Sequence, residues 1–582
     1  MRGGWQPEGR LACRCRGGLL LVLVLVLAGW VEVAWAQEGG LLAPPERPRP
    51  LEPPAAEPPV APLVPRQILP PLPPPQGQER LPGLRVFVRR IVVTGSTVFT
   101  ESELARLTQG YVNRAVTSEE LEALRIALTQ LYVTNGYVNS GAILPDQTVR
   151  DGVIRFEIIE GQLTEVTLSN LQWFRPRYLH QRLTLDVDAP LQIATLQERL
   201  QQLQQDDRIA RLEAELQPGI RLGESALHVR VEERLPYTII LDFNNFQSPT
   251  VGAERGQLTA IHRNVTGYGD VLHLTTGVSA GVGPQIDASY TVPLSPRDTI
   301  VQARYRLNES VVIEEPFDAL DFQSRSEIVT LTLRQPLYRT LSREFALALS
   351  GEYLHSRTTL LGMPFNTPGT EDGASTITAL RLAAEWLDQT PTRVLALRSR
   401  FSFGVDLFGV TINDGEVPSG SFFAWLGQFQ IAQRFQDQRL EFLLRVDAQL
   451  TTEPLFPLEQ LAIGGRFSVR GYRENQLVRD NALLASLEAR VLVLRRRRWA
   501  ESIQLVPFVD FGWGENHQMP TSSITTLASI GLGLRWAVRW QAAVSAHAVL
   551  EVFWGYKLID VDTQGDDLQD RGLHVQFVLS TF

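Results

Sequence analysis

The chain has 582 residues, of which 44% are hydrophobic and 20% charged, and its formal net charge is -9. This acidic balance argues against nucleic acid as a partner. The only two cysteines, Cys13 and Cys15, lie near the N terminus, so no disulfide or thiol chemistry is expected in the body of the protein.

Residues 1–36 have the features of a cleavable export signal. They contain four arginines and two acids, then the apolar run "GGLLLVLVLVLAGWV", and they end in Ala34-Trp35-Ala36. The run is too short to span a bilayer, and a small-x-small end is typical of signal cleavage. Cleavage would remove both cysteines and shift the formal net charge from -9 to about -11, because four positive and two negative charges leave with the signal.

Residues 37–83 form a proline-rich linker that includes "LAPPERPRPLEPPAAEPPVAPLVPRQILPPLPPP". Such a segment cannot pack a core and favours extended polyproline geometry. We interpret it as a spacer, and a proline-rich ligand for a binding partner is the alternative.

Residues 84–161 are predicted to form a small α+β module. "LRVFVRRIVVTG" is typical of a strand, and "GVIRFEIIEG" is typical of a closing strand. Between them, two helices begin with capping boxes, one from Thr100 to Glu103 and one from Thr117 to Glu120. The predicted order is strand, helix, helix and a sheet-forming tail.

Residues 162–234 contain a divergent second copy. The strand "LTEVTLSNL" precedes the helices "PRYLHQRL" and "IATLQERLQQLQQDDRI", and the strands "ARLEAELQP" and "SALHVRVEERL" follow. A repeat of about 75 residues predicts two tandem modules of the same kind, each with a modest core.

Residues 235–582 lack helical periodicity and consist of short alternating segments separated by Gly, Pro, Asn and Asp. In "RLEFLLRVDAQL", one face is apolar and the other carries Glu441, Arg445, Asp447 and Gln449. A soluble sandwich could show this pattern, but export, length and inward-facing charges favour an antiparallel transmembrane β-barrel of about 16 strands.

The stretch "AIGGRFSVRGYRENQLVRDNALL" is a long connection between two alternating segments. The last strand, about Leu573 to Phe582, should end at the periplasmic side, where turns are short, while long loops lie outside. Counting back from that strand places the stretch on the external side. It contains four arginines: Arg466, Arg470, Arg473 and Arg479.

The strand "IQLVPFVDFGWGE" carries an acidic residue on its predicted luminal face. Val506, Phe508, Asp510, Gly512 and Gly514 share that face. The glycines leave room for a bulky group, and an arginine is the best partner for a luminal carboxylate. If the long loop folds inward, Arg470 could be that partner.

These motifs carry a family resemblance. "VRGY" (Val469 to Tyr472), "FVDFG" (Phe508 to Gly512) and the module pattern "LYVTNGYVNSGAILPDQTVRDGVIRFEIIEG" are similar to those of outer-membrane assembly and translocation barrels. In particular, the chain resembles the transporters of two-partner secretion, the haemolysin secretion/activation (TpsB) type. The resemblance implies that the two modules are POTRA (polypeptide-transport-associated) domains in the periplasm, followed by a 16-stranded barrel in the outer membrane.

The resemblance also implies roles for particular residues. Arg470, at the tip of the sixth external loop, would pair with Asp510 on the thirteenth barrel strand and keep the loop inside the lumen. Gly471 and Tyr472 would shape the tip beside Val469. Phe508 and Gly512 complete the barrel-wall motif.

The implied partners follow from the same resemblance. The modules would bind an unfolded exoprotein of the TpsA type, expected to be large and β-helical, and the barrel would translocate it to the cell surface. Outer-membrane lipid and the barrel-assembly machinery, which would insert this chain, are the other expected partners. No nucleotide, cofactor, metal or nucleic acid is implied. The linker is too rich in proline to predict a pore-plugging helix, and an insertase of the same superfamily is the alternative function.

An enzyme is the alternative from another class. "GVSAG" (Gly277 to Gly281) fits the pattern of a nucleophile elbow, but no helical period follows Ser279, so a barrel strand is predicted there. The histidines show no H-E-x-x-H pair, and Lys557 is the only lysine. These patterns predict a transporter without catalytic residues.

Overall fold

The computed structural model describes residues 85–435, 439–497, 499–519, 521, 524–540, 545–561 and 565–581. The predicted signal (1–36) and the whole of the predicted linker (37–83) therefore lie outside the described residues. In the described ranges, two α/β modules precede a closed barrel. None of the helices in these ranges is both long and apolar enough to cross a bilayer.

The first module contains two sheets and two helices. Its elements are β1 (Arg85–Val88), β2 (Arg90–Thr94), α1 (Glu101–Thr108), β3 (Arg114–Thr117), α2 (Ser118–Thr134), β4 (Gly141–Ile143) and β5 (Val153–Ile159). β1 pairs with β3, whereas β2 lies parallel to β5, and β5 also pairs with β4. The first predicted strand is thus two strands in different sheets. The chain bends at Arg89, whose backbone N–H donates to the carbonyl of Gly152 at 2.8 Å.

Both predicted capping boxes are present in the first module. The backbone N–H of Thr117 donates to Glu120 at 2.8 Å, and the Thr117 hydroxyl accepts from the Glu120 N–H at 3.2 Å. The equivalent N–H of Thr100 donates to Glu103 at 2.8 Å. These bonds satisfy donors that the first turn of a helix leaves free, so the caps define where α1 and α2 begin. The short strand β3 was not predicted, because four residues between two helices carry too little periodicity.

The second module repeats the arrangement. Its elements are β6 (Gln162–Ser169), α3 (Pro176–Leu183), α4 (Ile193–Gln204), β7 (Ile209–Pro218) and β8 (Glu224–Glu233). The sheet order is β6–β8–β7, with β6 parallel to β8 as β2 is to β5. Its core is a single cluster that includes Leu183, Leu191 and Ile209, all fully buried.

Sixteen strands form the closed barrel, as predicted. They are β9 (Tyr237–Asn244), β10 (Arg255–His262), β11 (Val271–Ser279), β12 (Val282–Pro293), β13 (Ile300–Val311), β14 (Phe322–Arg339), β15 (Arg343–Leu360), β17 (Ala374–Gln389), β18 (Arg393–Gly404), β19 (Phe423–Phe435), β20 (Leu440–Thr451), β23 (Asn481–Arg497), β24 (Ala500–Glu515), β25 (Thr526–Trp540), β26 (Ala546–Lys557) and β27 (Leu573–Thr581). All neighbours are antiparallel, and β27 pairs with β9 to close the barrel. The short strands β16 (Met363–Pro364), β21 (Leu461–Ile463) and β22 (Leu477–Arg479) are additional.

The barrel strands have one exposed apolar face and one inward face. On β24, Leu505, Val509 and Phe511 are exposed, while Phe508 and Asp510 are buried. This alternation follows from the two-residue period of a strand.

The second module identifies the two ends of the barrel. Arg182 of α3 lies 2.7 Å from Asp298, which is in the connection between β12 and β13. The long connection between β20 and β23, residues 452–480, is called L6 below. Since connections alternate between the two ends of an antiparallel barrel, L6 starts from the end opposite the modules.

Candidate functional site: a loop inside the barrel

L6 folds into the barrel and does not project from it. At its tip, Val469 and Tyr472 are fully buried and Arg470 is 2% exposed. β21 and β22 pair as a hairpin within the loop. The tip packs in a cluster with Ile463 and Leu484, the latter from the wall strand β23.

The guanidinium of Arg470 binds the carboxylate of Asp510 with two parallel hydrogen bonds. Nε donates to Oδ2 at 2.7 Å, and Nη2 donates to Oδ1 at 2.8 Å. The backbone N–H of Arg470 also donates to Oδ2, at 3.0 Å. The structure therefore brings together these two residues, which are separated by 40 positions in the chain. The fork geometry suits arginine and not lysine, because only a guanidinium presents two parallel donors.

Strand β23 supplies further partners that the sequence did not single out. Arg470 Nη1 donates to Glu488 at 2.8 Å, and its Nη2 donates to the hydroxyl of Ser486 at 3.0 Å. That hydroxyl donates to Asp510 at 2.6 Å. Ser486 and Glu488 lie on either side of Leu487 and therefore share one face of β23. This alternation of polar and apolar residues is the sequence feature that could have predicted them as luminal partners.

Phe508 of the wall motif packs directly against the ion pair. The guanidinium carbon of Arg470 lies 3.7 Å from the centroid of the Phe508 ring. The aromatic face is attractive to a cation and excludes water from the pair. An arginine paired with two carboxylates and stacked on a ring is held in one orientation.

Glycines allow the loop to approach the wall. A Cβ on Gly512 would lie 2.4 Å from Ile463 and 2.8 Å from Val469. Gly471 has φ of +96°, and a Cβ there would lie 2.8 Å from the carbonyl oxygen of Gly555 on β26. A side chain at either position would push the tip away from the wall.

Tyr472 and Gly471 attach the tip to the last strands. The Tyr472 hydroxyl lies 2.8 Å from the carbonyl oxygens of Ala528 and Ile559. The Gly471 N–H donates to Nε2 of His574 at 3.1 Å, so this histidine nitrogen must be unprotonated. The tip thus contacts β25, β26 and β27 in addition to β23 and β24.

Two other loop arginines form separate ion pairs. Arg466 lies 2.8 Å from Glu551 of β26, and its guanidinium stacks 3.9 Å from the Phe553 ring. Arg473 lies 2.8 Å from Glu314, in the connection between β13 and β14, and 2.5 Å from Asp570. Asp570 belongs to the connection between β26 and β27, residues 558–572, called L8 below. Arg479 donates to the carbonyl of Ile524 at 3.1 Å.

Arg473 pairs with two carboxylates from neighbouring connections, and burial and these contacts together shift the pKa values of all three groups. Burial opposes its charge, but hydrogen bonds to Asp570 and Glu314 outweigh that effect and raise the pKa of Arg473. Burial raises the pKa of Glu314. For Asp570, the nearby Arg473 outweighs burial, so the pKa of Asp570 is lowered. The pair of Arg473 with Asp570 is therefore charged near neutral pH.

The possible enzyme motif has a structural role. Ser279 ends β11, its hydroxyl donates to the carbonyl of Val251 at 2.9 Å, and β12 begins at Val282. This strand-to-strand turn lacks the helix of a nucleophile elbow. Within the described ranges, no group of three His, Cys, Asp or Glu side chains could hold a metal ion.

Comparison with known families identifies the type of protein. The family model described as haemolysin secretion/activation protein ShlB/FhaC/HecB matches residues 223–536, more than half of the chain. The chain belongs to this family. A second model, the ShlB-type POTRA domain, matches residues 86–161.

Curated relatives of this ShlB/FhaC/HecB family member cover most of its length. The outer membrane transporter CdiB of Dickeya dadantii (strain 3937) is 22% identical over 485 residues, which is 79% of this chain and 82% of the relative. The hemolysin transporter protein ShlB of Serratia marcescens is 22% identical over 520 residues, 85% and 86% of the two chains. The family is thus one of outer-membrane transporters, and its POTRA domains are periplasmic.

Solved structures share the fold. CdiB from Escherichia coli matches with a TM-score of 0.61 at 20% identity, covering 87% of this chain and 92% of that chain. BamA from Haemophilus ducreyi lacking POTRA domains 1-3 matches with a TM-score of 0.51 at 13% identity, covering 86% and 100%. The family member described here is therefore an outer-membrane barrel with periplasmic modules, and L6 begins at the external end.

Proposed function

We propose that the protein binds an unfolded partner exoprotein in the periplasm through its POTRA domains and translocates it through the barrel to the cell surface. The partner is of the TpsA type, large and β-helical, and its folding outside the cell drives transport. In this proposal, residues 84–161 and 162–234 form the binding modules, and 37–83 is the spacer that precedes them.

The observation that carries the proposal is the buried ion pair of Arg470 and Asp510. L6 occupies the lumen, so an exported chain can pass only if the loop moves or leaves space beside it. An ion pair with several hydrogen bonds holds one loop position strongly, yet it can reform after movement because both partners are retained. L6 is proposed to act as the internal gate of the pore.

A cavity beside L6 that is lined in part by charged side chains supports a path through the barrel. Its lining includes Asp242, Arg255, Asp287 and Arg306 of the wall and Glu474 of L6. Polar and charged walls suit the passage of a hydrated, extended chain, because its main-chain groups can keep their hydrogen bonds to water.

The sheet of the second module supports partner binding. Within it, β7 pairs with β8 on one side only. An edge strand can pair with an extended peptide through main-chain hydrogen bonds, which demand little of the partner's sequence. Ile220 and Leu222, in the turn that follows β7, are exposed apolar side chains that could contact the partner.

The decisive experiment compares the culture medium and outer membrane of the host with and without this gene. Loss of one large secreted protein, with the other barrels unchanged, is the expected result for a dedicated transporter. Depletion of many barrels from the outer membrane would instead identify an insertase, which is the second candidate function. The similarity of this chain's fold to that of BamA is the observation that keeps this candidate open. Restoring the gene must restore whichever protein is lost.

A further inference from the structure

The first arm of L6, residues 452–460, packs on a part of the wall away from Arg470. Leu455 is 1% exposed and Phe456 is 2% exposed. Their cluster contains inward residues of four wall strands, β14, β15, β17 and β19, and the residue just before β19. These residues are Ile328, Leu354, Ile377, Ala379, Phe422 and Ala424. An apolar patch inside a polar lumen needs cover, and this arm of L6 covers it.

The same arm is joined to the wall by a buried ion pair. Arg381 of β17 is 6% exposed, and its Nη2 lies 2.6 Å from Oε1 of Glu459. Nη1 donates to the other carboxylate oxygen of Glu459 at 3.1 Å. Like Arg470 with Asp510, this pair links L6 to the barrel with two hydrogen bonds from one guanidinium.

Arg381 has other partners on the barrel wall, so it would not become a buried unpaired charge if Glu459 moved away. Nη2 of Arg381 also lies 2.6 Å from Glu352 of β15, and Nη1 donates to Ser402 at 2.8 Å. An arginine that keeps a second carboxylate avoids the full cost of a buried unpaired charge. The pair can therefore hold the loop and still be broken during movement.

Hydrogen bonds at the base of L6 connect this arm to the other arm of the loop. The side-chain amide of Gln449 donates to the carbonyls of Glu459, at 3.0 Å, and Asp480, at 3.2 Å. Asp480 accepts from the Leu455 N–H at 3.0 Å. The two arms of L6 are thus bonded to each other where they enter the barrel.

We propose that Glu459 and Arg381 form a second anchor of L6, which holds the first arm of the loop on β17. The tip is held elsewhere on the wall, by Arg470 and by the separate pairs of Arg466 and Arg473. The loop is thus held on two parts of the barrel wall and stays in the lumen when one anchoring pair is lost. Glu459 is a positioning residue, since it acts on the tip through the loop. The inference rests on the proposed role of L6 as a gate. Its test reads loop position and not export, so that the two proposals can fail separately.

The test measures how fast a cysteine at the tip reacts from outside. Ser468 is 4% exposed, and the only other cysteines, Cys13 and Cys15, lie in the predicted signal. Ser468→Cys in the full-length protein is labelled on intact cells with a membrane-impermeant maleimide. The labelling rate is compared in four backgrounds: parent, Arg470→Ala, Glu459→Gln and the double substitution.

We expect each single substitution to change the rate only slightly and the double substitution to raise it about tenfold or more. Losing both buried pairs reduces the arginine pairs between L6 and its surroundings to those of Arg466 and Arg473. The matched control is Glu385→Gln combined with Arg470→Ala. Glu385 is on the same strand as Arg381 but pairs with Arg334 and Arg398 and not with L6. This control is expected to label at the rate of Arg470→Ala alone.

A double substitution that labels no faster than Arg470→Ala would overturn the second anchor, as would equal acceleration by the Glu385 control. Assembly is checked by the heat-dependent shift in gel mobility of folded barrels. Should Glu459→Gln prevent assembly, Phe456→Ala tests the same arm by reducing its apolar contact. If Phe456→Ala combined with Arg470→Ala then labels no faster than Arg470→Ala alone, the proposal is contradicted.

Discussion

Arg470 of L6 makes three hydrogen bonds to Asp510 on β24, two from its guanidinium and one from its backbone N–H. Both residues are almost fully buried. The backbone bond matters because it fixes the loop main chain, as well as the side chain, against the barrel wall.

Replacing Arg470 with alanine should reduce export by more than about tenfold while the barrel still assembles. The change leaves Asp510 as a buried carboxylate without its guanidinium, a loss of about 3–5 kcal/mol for the loop position, whereas Glu488 keeps its pair with Arg490. Export is measured as secreted partner in the medium. Arg334→Ala is the control, since Arg334 pairs with Glu344 and Glu385 in the lumen away from L6. Normal export by Arg470→Ala would argue against the gate.

Exchanging the two charges, Arg470→Asp with Asp510→Arg, should restore little export. The new aspartate would face Glu488, which lies 2.8 Å from the present guanidinium. The substitution also removes the acceptor for the backbone N–H of residue 470. Like charges repel, so the exchanged pair is expected to fail. Restoration to more than half of the parent's export would show that opposite charge alone is sufficient. The measurement is again partner in the medium.

Gly471→Ala should displace the tip of L6 and weaken export. Gly471 has φ of +96°, and an added Cβ would lie 2.8 Å from the Gly555 carbonyl. The backbone strain costs about 1–3 kcal/mol, and the contact adds to it. Gly409→Ala is the matched control, because Gly409 has φ of +75° but nothing lies within 4 Å of its Cβ. Equal effects of the two substitutions on export would show that contact with the wall is unimportant.

The order of L8 should depend on pH through Asp567. Burial raises the pKa of Asp567 to about 6, and the carboxylates of Glu254 and Asp570 act in the same direction. A folded pKa above the usual value of about 3.9 means that this stabilisation is complete below about pH 4 and is lost as pH rises through about 6. The loss should be about 1–2 kcal/mol after allowance for solvent screening.

Hydrogen exchange of the L8 amides, corrected for intrinsic rates, checks this prediction. Protection should fall between pH 5 and pH 7 in the parent, as roughly tenfold faster exchange. Asp567→Asn should remove the pH dependence, while Asp566→Asn should not, because the Asp566 side chain is 83% exposed and pairs with Arg571. The same pH dependence in Asp567→Asn as in the parent would assign the effect to another group.

Local patterns in the chain were sufficient for much of the fold. The second module's helix α3 has the predicted bounds, and the alternation on β24 assigned Asp510 to the lumen. The chain bend at Arg89 was not predicted, since "LRVFVRRIVVTG" is rich in β-branched and other apolar residues on both sides of it and contains no glycine or proline there. Only the pairing of β1 with β3 and of β2 with β5 divides this segment, and pairing is a property of distant residues.

The sequence by itself determined that the chain has two α+β modules and a barrel, because helical and strand periodicities are local. It also marked Arg470 and Asp510, through short motifs. The tertiary structure alone decided that Glu488 joins this pair, that Arg473 meets Glu314 across 159 positions and that Glu459 meets Arg381. The physical reason is barrel closure: residues become neighbours across the lumen only when every strand register is set and L6 has folded inside.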